Sequence, residues 1–292
     1  MNTAIRSIIC AACQSWCGAV LLTASSAQAQ NLFATDLNGN INEFTPNGGQ
    51  STFAGGLHVP YGLAFDSAGN LFWSYGVYPG GSINRITPNG VQTTIASAYG
   101  PAGLAFNSAG DLFDAETNGK IHEFTPDGTE SLFASGLSSP IGLAFNNAGN
   151  LFVTDYGAGC IYQFTPGGTK SLFASGLSSP TGLSFNNAGD LFVSATGSGD
   201  IYEFTPSGAR STFASGLQRP FGLVFDSAGR LFAADYYSGT INEFTPDGAE
   251  TTFASGYGPF FLAFQPVPEP SALALLAIGA TALFVRYHKF TK

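Results

Sequence analysis

The sequence predicts an all-β ring of six four-stranded antiparallel blades, a β-propeller. Three observations predict it. The segments STFAG, TTIAS, SLFAS, SLFAS, STFAS and TTFAS begin at Ser51, Thr93, Ser131, Ser171, Ser211 and Thr251, spaced by 42, 38, 40, 40 and 40 residues. A period near forty points to a solenoid, a propeller or a helical array. Each repeat holds four short β-type segments separated by turn signals, and no window carries a sustained helical period. The two chain ends are fragments of one repeat.

The elements follow in order within the repeat 171–210. Thr181-Gly-Leu-Ser-Phe185 and Leu191-Phe-Val-Ser-Ala195 are apolar at both parities, as strands buried on both faces are. Ile201-Tyr-Glu-Phe-Thr-Pro206 mixes polar and apolar residues and suits a strand further out. Ser211-Thr-Phe-Ala-Ser215 is the most polar and fits the rim. Asn187-Ala-Gly189, Gly197-Ser-Gly199 and Pro206-Ser-Gly208 mark the turns. Proline after Thr205 ends the third strand, because it has no N–H for the ladder. Four antiparallel strands per forty residues make a blade.

The ends set the blade count. Leu32-Phe-Ala-Thr-Asp36 reads as a second strand and Ile41-Asn-Glu-Phe-Thr-Pro46 as a third. Phe260-Phe-Leu-Ala-Phe264 is a first strand with no second strand after it. Joined, they complete one blade beside five continuous ones. Ring closure removes the exposed sheet edges.

Three segments divide the chain: 1–29, 30–266 and 267–292. The first reads as a secretory leader, with Arg6, an apolar stretch through Ala19-Val-Leu-Leu22 and an Ala27-Gln-Ala29 cleavage site. Cys10, Cys13 and Cys17 fall inside it, so their spacing says nothing about metal or redox chemistry. Cys160 then stands alone, which excludes an intramolecular disulfide. It is expected to fill space in a turn. The segment 30–266 carries 18 acidic against 6 basic side chains, a net charge of −12, and has no basic patch. Nucleic-acid binding is excluded on that ground. The 27 phenylalanines supply the apolar core, repeated at Leu-Phe and Glu-Phe-Thr-Pro.

The tail breaks the pattern. Pro268-Glu269-Pro270 precedes 14 apolar or small residues at 272–285, and Arg286, Lys289 and Lys292 follow. The run reads as a short hydrophobic helix, below the length of about 20 residues that a bilayer span needs. The triplet, the apolar run and the basic end resemble the PEP-CTERM sorting signal. That resemblance implies an exosortase-type processing enzyme as partner and transient anchoring in the inner membrane of a Gram-negative envelope. It also implies delivery to the cell surface or extracellular matrix, where exopolysaccharide is made.

Units such as Pro140-Ile-Gly-Leu-Ala-Phe-Asn-Asn-Ala-Gly-Asn-Leu-Phe-Val-Thr-Asp155 resemble NHL-repeat proteins and, more distantly, the gluconolactonase/regucalcin family. The resemblance spans nearly all of 31–264 and implies the propeller fold. The lactonase-like enzymes hold a divalent metal at the channel mouth, some of them through the residue between Pro and Gly of a Pro-x-Gly motif. Here those positions read Tyr61, Ala102, Ile141, Thr181, Phe221 and, by alignment, Phe260; none is a carboxylate or amide. Hard cations need several such oxygens.

Asp36, Glu116, Asp155 and Asp235 recur at the ends of second strands. They form either a ring for one divalent cation such as Ca²⁺ or a set of turn acceptors. Repetition favours turn acceptors, since a fold motif repeats and a single site does not. Asp66, Asn107, Asn147, Asn187 and Asp226 recur before Ala-Gly turns of the opposite face and read the same way. His58 and His122 are far apart in the ring, and neither a triad nor an acid–base pair can be drawn. What remains on the channel face is aromatic: Tyr61, Tyr75, Tyr78, Tyr156, Phe221, Tyr236, Tyr237, Tyr257 and Phe260. The stretch Tyr75–Ser82 reads as the longest loop of its class. These rings either stack on sugars or pack between blades with their hydroxyl groups in water. Two functions compete. One is an exported non-enzymatic binding or scaffold protein with no cofactor and a polysaccharide ligand. The other is a divergent metal-dependent hydrolase or lyase.

Overall fold

The computed structural model describes residues 30–77, 80–256 and 258–267. Within them the chain forms six four-stranded antiparallel sheets and no helix. Blade 1 joins the two ends: Pro259–Phe264 is innermost, followed outward by Leu32–Asp36, Ile41–Phe44 and Gln50–Ala54. Blades 2 to 6 are continuous and begin at Pro60, Pro101, Pro140, Pro180 and Pro220.

The closure expected from the two half-repeats is present. Leu32 pairs with Phe264, Phe33 with Ala263 and Ala34 with Leu262. Gln265 N donates to Asn31 O at 3.0 Å and Gln30 Nε2 to Gln265 O at 3.0 Å, sealing the seam. The gradient read from the repeat is also present. Second strands such as Leu151–Asp155 and Leu191–Ala195 are buried at every position, and fourth strands such as Arg210–Ala214 begin with three exposed residues.

Phenylalanine builds the blade junctions. In five blades the ring of the Leu-Phe pair meets a fourth-strand ring of its own blade and a first-strand ring of the next; in blade 2, where Ile95 replaces the fourth-strand ring, Phe72 meets Phe106. Phe152 lies 5.0 Å from Phe173 and 5.1 Å from Phe185, both edge-on. Phe192 repeats this with Phe213 and Phe225, and Phe232 with Phe253 and Phe264 across the seam. Edge-to-face geometry aligns a positive ring edge with a negative ring face, which adds about 0.5–1.5 kcal/mol per pair to the area buried.

A second device circles the axis. Between Pro140 and Leu143 the first-strand ladder shifts register, and Gly142 N donates instead to Thr154 Oγ1 at 2.8 Å. Thr154 Oγ1 then donates to Thr181 O of blade 5 at 2.6 Å. Ser74 and Ser194 repeat the relay, and Thr35 does so through Phe261 N and Tyr61 O. The motif glycine is required here: a Cβ on Gly142 would sit 2.1 Å from Thr181 O. Ala115 and Ala234 stand at the relay position in blades 3 and 6, so the junctions 3–4 and 6–1 lack it.

Three local expectations need correction. Tyr75–Ser82 is not a loop. The strands Leu71–Val77 and Gly80–Ile86 continue through it, with Gly76 opposite Gly81 and Val77 opposite Gly80, so the extra length of this repeat extends a hairpin. The turn acceptors of blades 4 and 5 are Asn146 and Asn186, one position before the expected Asn147 and Asn187: Asn150 N donates to Asn146 Oδ1 and Asp190 N to Asn186 Oδ1. Cys160 opens a third strand instead of sitting in a turn, half-buried, with Sγ 3.3 Å from Ala158 O. The leader, Tyr78, Tyr257, the triplet Pro268-Glu269-Pro270 and the expected hydrophobic helix lie outside the described residues.

Candidate functional site

The second-strand carboxylates are engaged in backbone turns. Asp36 Oδ1 accepts the N–H groups of Asn38 and Asn40 at 2.8 and 2.9 Å, and Oδ2 accepts the amides of Asn40 and Asn42. Asp155 accepts Ser138 N, Ser139 N and Ala158 N. Glu116 accepts Tyr99 N at 2.8 Å and the Asn118 amide at 2.9 Å. Asp235 Oδ2 accepts Gln218 N at 2.8 Å, while its Oδ1 is buried without a partner. Among the described residues no three His, Cys, Asp or Glu side chains converge in a way that could hold a metal ion. The donor set does not fit a hard cation, because such an ion needs several convergent oxygens and these four carboxylates each serve their own turn.

The channel-face aromatics meet at the axis. Tyr61, Tyr156, Phe221 and Tyr236 pack with Ile141, Phe260 and Phe261 into one cluster drawn from blades 1, 2, 4 and 6. Phe260 is its centre, stacked on Tyr236 at 4.8 Å, with Tyr61 and Phe221 each 5.1 Å away. Burial pushes the Tyr61 phenol up to about 12, against the lowering pull of Arg219. Below the cluster the axis keeps a cavity of about 60 Å³ lined by glycines and leucines. Ligand pockets run to several hundred Å³, so the axis itself admits no sugar ring.

The surface above this plug is different. Tyr237 is 66% exposed and its ring centre lies 5.0 Å from that of Tyr236, with the two planes tilted by 38°. Arg219 lies over the rings of Tyr237, Phe221 and Tyr236 at 5.1, 5.6 and 5.9 Å, and its Nη1 donates to the Tyr237 hydroxyl at 2.7 Å. Its backbone is held at φ +74°, a left-handed conformation that non-glycine residues adopt at a cost. Tyr75 is half-buried beside His58, with ring centres 5.2 Å apart.

One cluster was not drawn from the sequence. His122 lies with Nδ1 2.5 Å from Glu130 Oε1 and Nε2 3.8 Å from Glu116 Oε2. Its cross-strand neighbour Asp114 is fully buried, and neither carboxyl oxygen has a hydrogen-bond partner. Burial pushes the Asp114 carboxyl well above its ordinary range, and the Glu116 and Glu130 charges act in the same direction. The available signal was an aspartate where other blades carry Ala34, Trp73, Val153, Val193 and Ala233.

Comparison with known proteins agrees with the fold and with the tail. Residues 266–289 match the PEP-CTERM protein-sorting motif. This signal marks an exported protein of a Gram-negative-type envelope and is a recognition signal for exosortase processing. No curated protein matches the sequence. Among solved structures, a chain of a nidogen/laminin complex is similar with TM-score 0.73 and 23% identity, covering 82% of this chain and 98% of that one. Virginiamycin B lyase from Staphylococcus aureus is similar with TM-score 0.62 and 17% identity, over 82% of this chain and 94% of that one. A gluconolactonase from Xanthomonas campestris is similar with TM-score 0.62 and 23% identity, over 72% and 83%. These likenesses show the propeller fold, which hosts unrelated activities.

Proposed function

We propose that this chain is an exported, non-catalytic propeller that binds extracellular polysaccharide on its channel face. One observation carries the reading: the Arg219 guanidinium lies 5.1 and 5.9 Å from the Tyr237 and Tyr236 ring centres on a surface whose centre is plugged by packed rings. An exposed Tyr237 ring, backed by the half-buried Tyr236 and bonded through its hydroxyl to the Arg219 guanidinium, suits a sugar, which offers C–H faces and hydroxyl groups together. The carboxylates near it each accept turn N–H donors and do not converge on one point, which argues against the lactonase-like alternative. In this reading the leader 1–29 is removed on export. The tail anchors the protein briefly in the inner membrane and is cut near Pro268-Glu269-Pro270.

Affinity electrophoresis of the full-length protein through gels containing neutral or acidic polysaccharide tests the platform. Retardation is expected, insensitive to salt because stacking and hydrogen bonds supply the contacts. Tyr237→Ala and Arg219→Ala should reduce it. Unchanged retardation of both variants would overturn the platform. One tightly held Ca²⁺ per chain, released by Asp155→Ala or Asp235→Ala, would replace this reading with the metal-dependent enzyme.

A further inference from the structure

The third-strand position that faces the next blade carries Glu43, Glu123, Gln163, Glu203 or Glu243 in five blades and Arg85 in blade 2. The fourth-strand ring that flanks the Leu-Phe phenylalanine is Phe53, Phe133, Phe173, Phe213 or Phe253 in the same five, and Ile95 in blade 2. Both departures face one groove. It lies between blades 2 and 3, at the end of the ring away from the channel-face loops, and encloses about 760 Å³. The corresponding groove between blades 5 and 6, with Glu203 and Phe213, encloses about 400 Å³. That between blades 4 and 5, with Gln163 and Phe173, encloses about 90 Å³. Losing one ring opens the space and leaves Phe72 8% exposed, where its counterparts are at 2–4%.

The lining is chemically specific. Arg85 lines the groove, and its Nε is buried without a hydrogen-bond partner among the described residues. Buried polar atoms are nearly always paired, so an orphaned donor facing a cavity of ligand size asks for an acceptor. Asp66 and Asp127 line the same groove. Asp127 Oδ1 accepts the Thr125 hydroxyl and Thr129 N, and the carboxylate stands at the solvent-exposed edge of the groove. An anion would satisfy Arg85 but face two carboxylates, and a cation would face the guanidinium. Asp66 already accepts Ala68 N, Asn70 N and the Asn70 amide, so a neutral polyhydroxylated ring meets both charges by donating a hydroxyl proton to Asp127 and accepting from Arg85. The half-buried Phe106, 5.0 Å from Phe72, offers an apolar wall for its C–H face.

We propose that the groove between blades 2 and 3 is a binding site for a neutral saccharide unit, separate from the channel-face platform. It stands whether or not the platform binds. The test uses the full-length protein carrying Tyr237→Ala, so that the platform is silent. Calorimetric titrations with cellohexaose, maltohexaose, isomaltohexaose, a hexagalacturonate and a chitosan hexamer compare neutral, acidic and basic ligands. At least one neutral hexamer should bind more tightly than the charged ones. Adding Ile95→Phe, which restores the ring of the other blades, should weaken that binding about tenfold or more, and Arg85→Glu should do the same. The melting temperature, measured alongside, should change little. Affinity unaffected by both substitutions, or tighter binding of a charged hexamer, would overturn the site. Failure of every neutral hexamer to bind would also overturn it, and retardation of the wild-type protein in polysaccharide gels would still support the platform.

Discussion

The junction between blades 4 and 5 and the junction between blades 2 and 3 are built on the same plan with different residues. At the first, Phe152 is held between Phe173 and Phe185, Val193 fills the facing wall, and Gln163 caps the groove. At the second, Phe72 keeps only Phe106 as a ring neighbour among the described residues, Asp114 takes the place of valine, and Arg85 takes the place of the cap. Asp114 pairs with Leu104, which packs in the core between blades 2 and 3. Three departures from the repeat therefore gather at one junction. Residues that repeat build the ring; residues that break the repeat at a junction have local work that the ring does not need.

The largest expected effect removes what both junctions share. Deleting Pro259–Phe264 takes out the innermost strand of blade 1 and leaves the faces of blades 6 and 2 open. Thermal unfolding followed by circular dichroism should lose its sharp transition. A deletion variant that melts as sharply and as hot as the parent would break the closed-ring account.

Asp114→Val converts the irregular junction toward the regular one. It removes two unpaired buried oxygens and should raise stability by about 2–3 kcal/mol in urea unfolding at pH 7. The variant should also alter the pH dependence. The fold keeps a proton on Asp114 that the unfolded chain releases above the ordinary value of 3.8. This contribution is full below about pH 3.8 and declines as pH rises toward the elevated folded-state value. Glu116 and Glu130 oppose ionisation, and His122 lies across the strand pair. The parent should therefore lose stability on this limb relative to Asp114→Val. Parallel curves for the two proteins would show that Asp114 is ionised in both states.

Ser194→Ala at the 5–6 junction cuts the relay from Gly182 N to Phe221 O and should cost about 1–2 kcal/mol. Ala234 already occupies this position at the 6–1 seam, so a cost near zero for Ser194→Ala would mean the relay adds nothing to any junction. Smallest of all, Tyr237→Ala should move stability by less than about 0.5 kcal/mol, because its ring is mostly in water. A larger loss would make Tyr237 part of the plug and not of a binding surface.

The fold was legible because its signals repeat. Leu-Phe, Glu-Phe-Thr-Pro and the glycine turns each occur often enough to fix strand order, burial and closure. The site was less legible, for two physical reasons. Channel-face aromatics look alike in sequence whether they stack on one another or stand in water; only coordinates separate Tyr61, inside the plug, from Tyr237 above it. The hydroxyl relay leaves no repeated letter in the sequence, because Thr35, Ser74, Thr154 and Ser194 share chemistry without sharing identity, and alanine interrupts them. Arg85, Ile95 and Asp114 were visible as exceptions, but their meeting at one junction depends on which face of the blade each side chain takes. A two-residue insertion in that same repeat drew attention to Tyr78 instead.

Hydrogen exchange read by mass spectrometry compares the two junctions directly. The full-length protein is exchanged with and without the tightest neutral hexasaccharide, and the fourth strands Gln92–Ser97 and Lys170–Ser175 are followed together. Slower exchange on addition of sugar is expected in Gln92–Ser97 and in the turn 107–110, with Lys170–Ser175 unchanged. Equal slowing of both strands, or slowing of Lys170–Ser175 alone, would contradict the claim that the broken repeat marks the site.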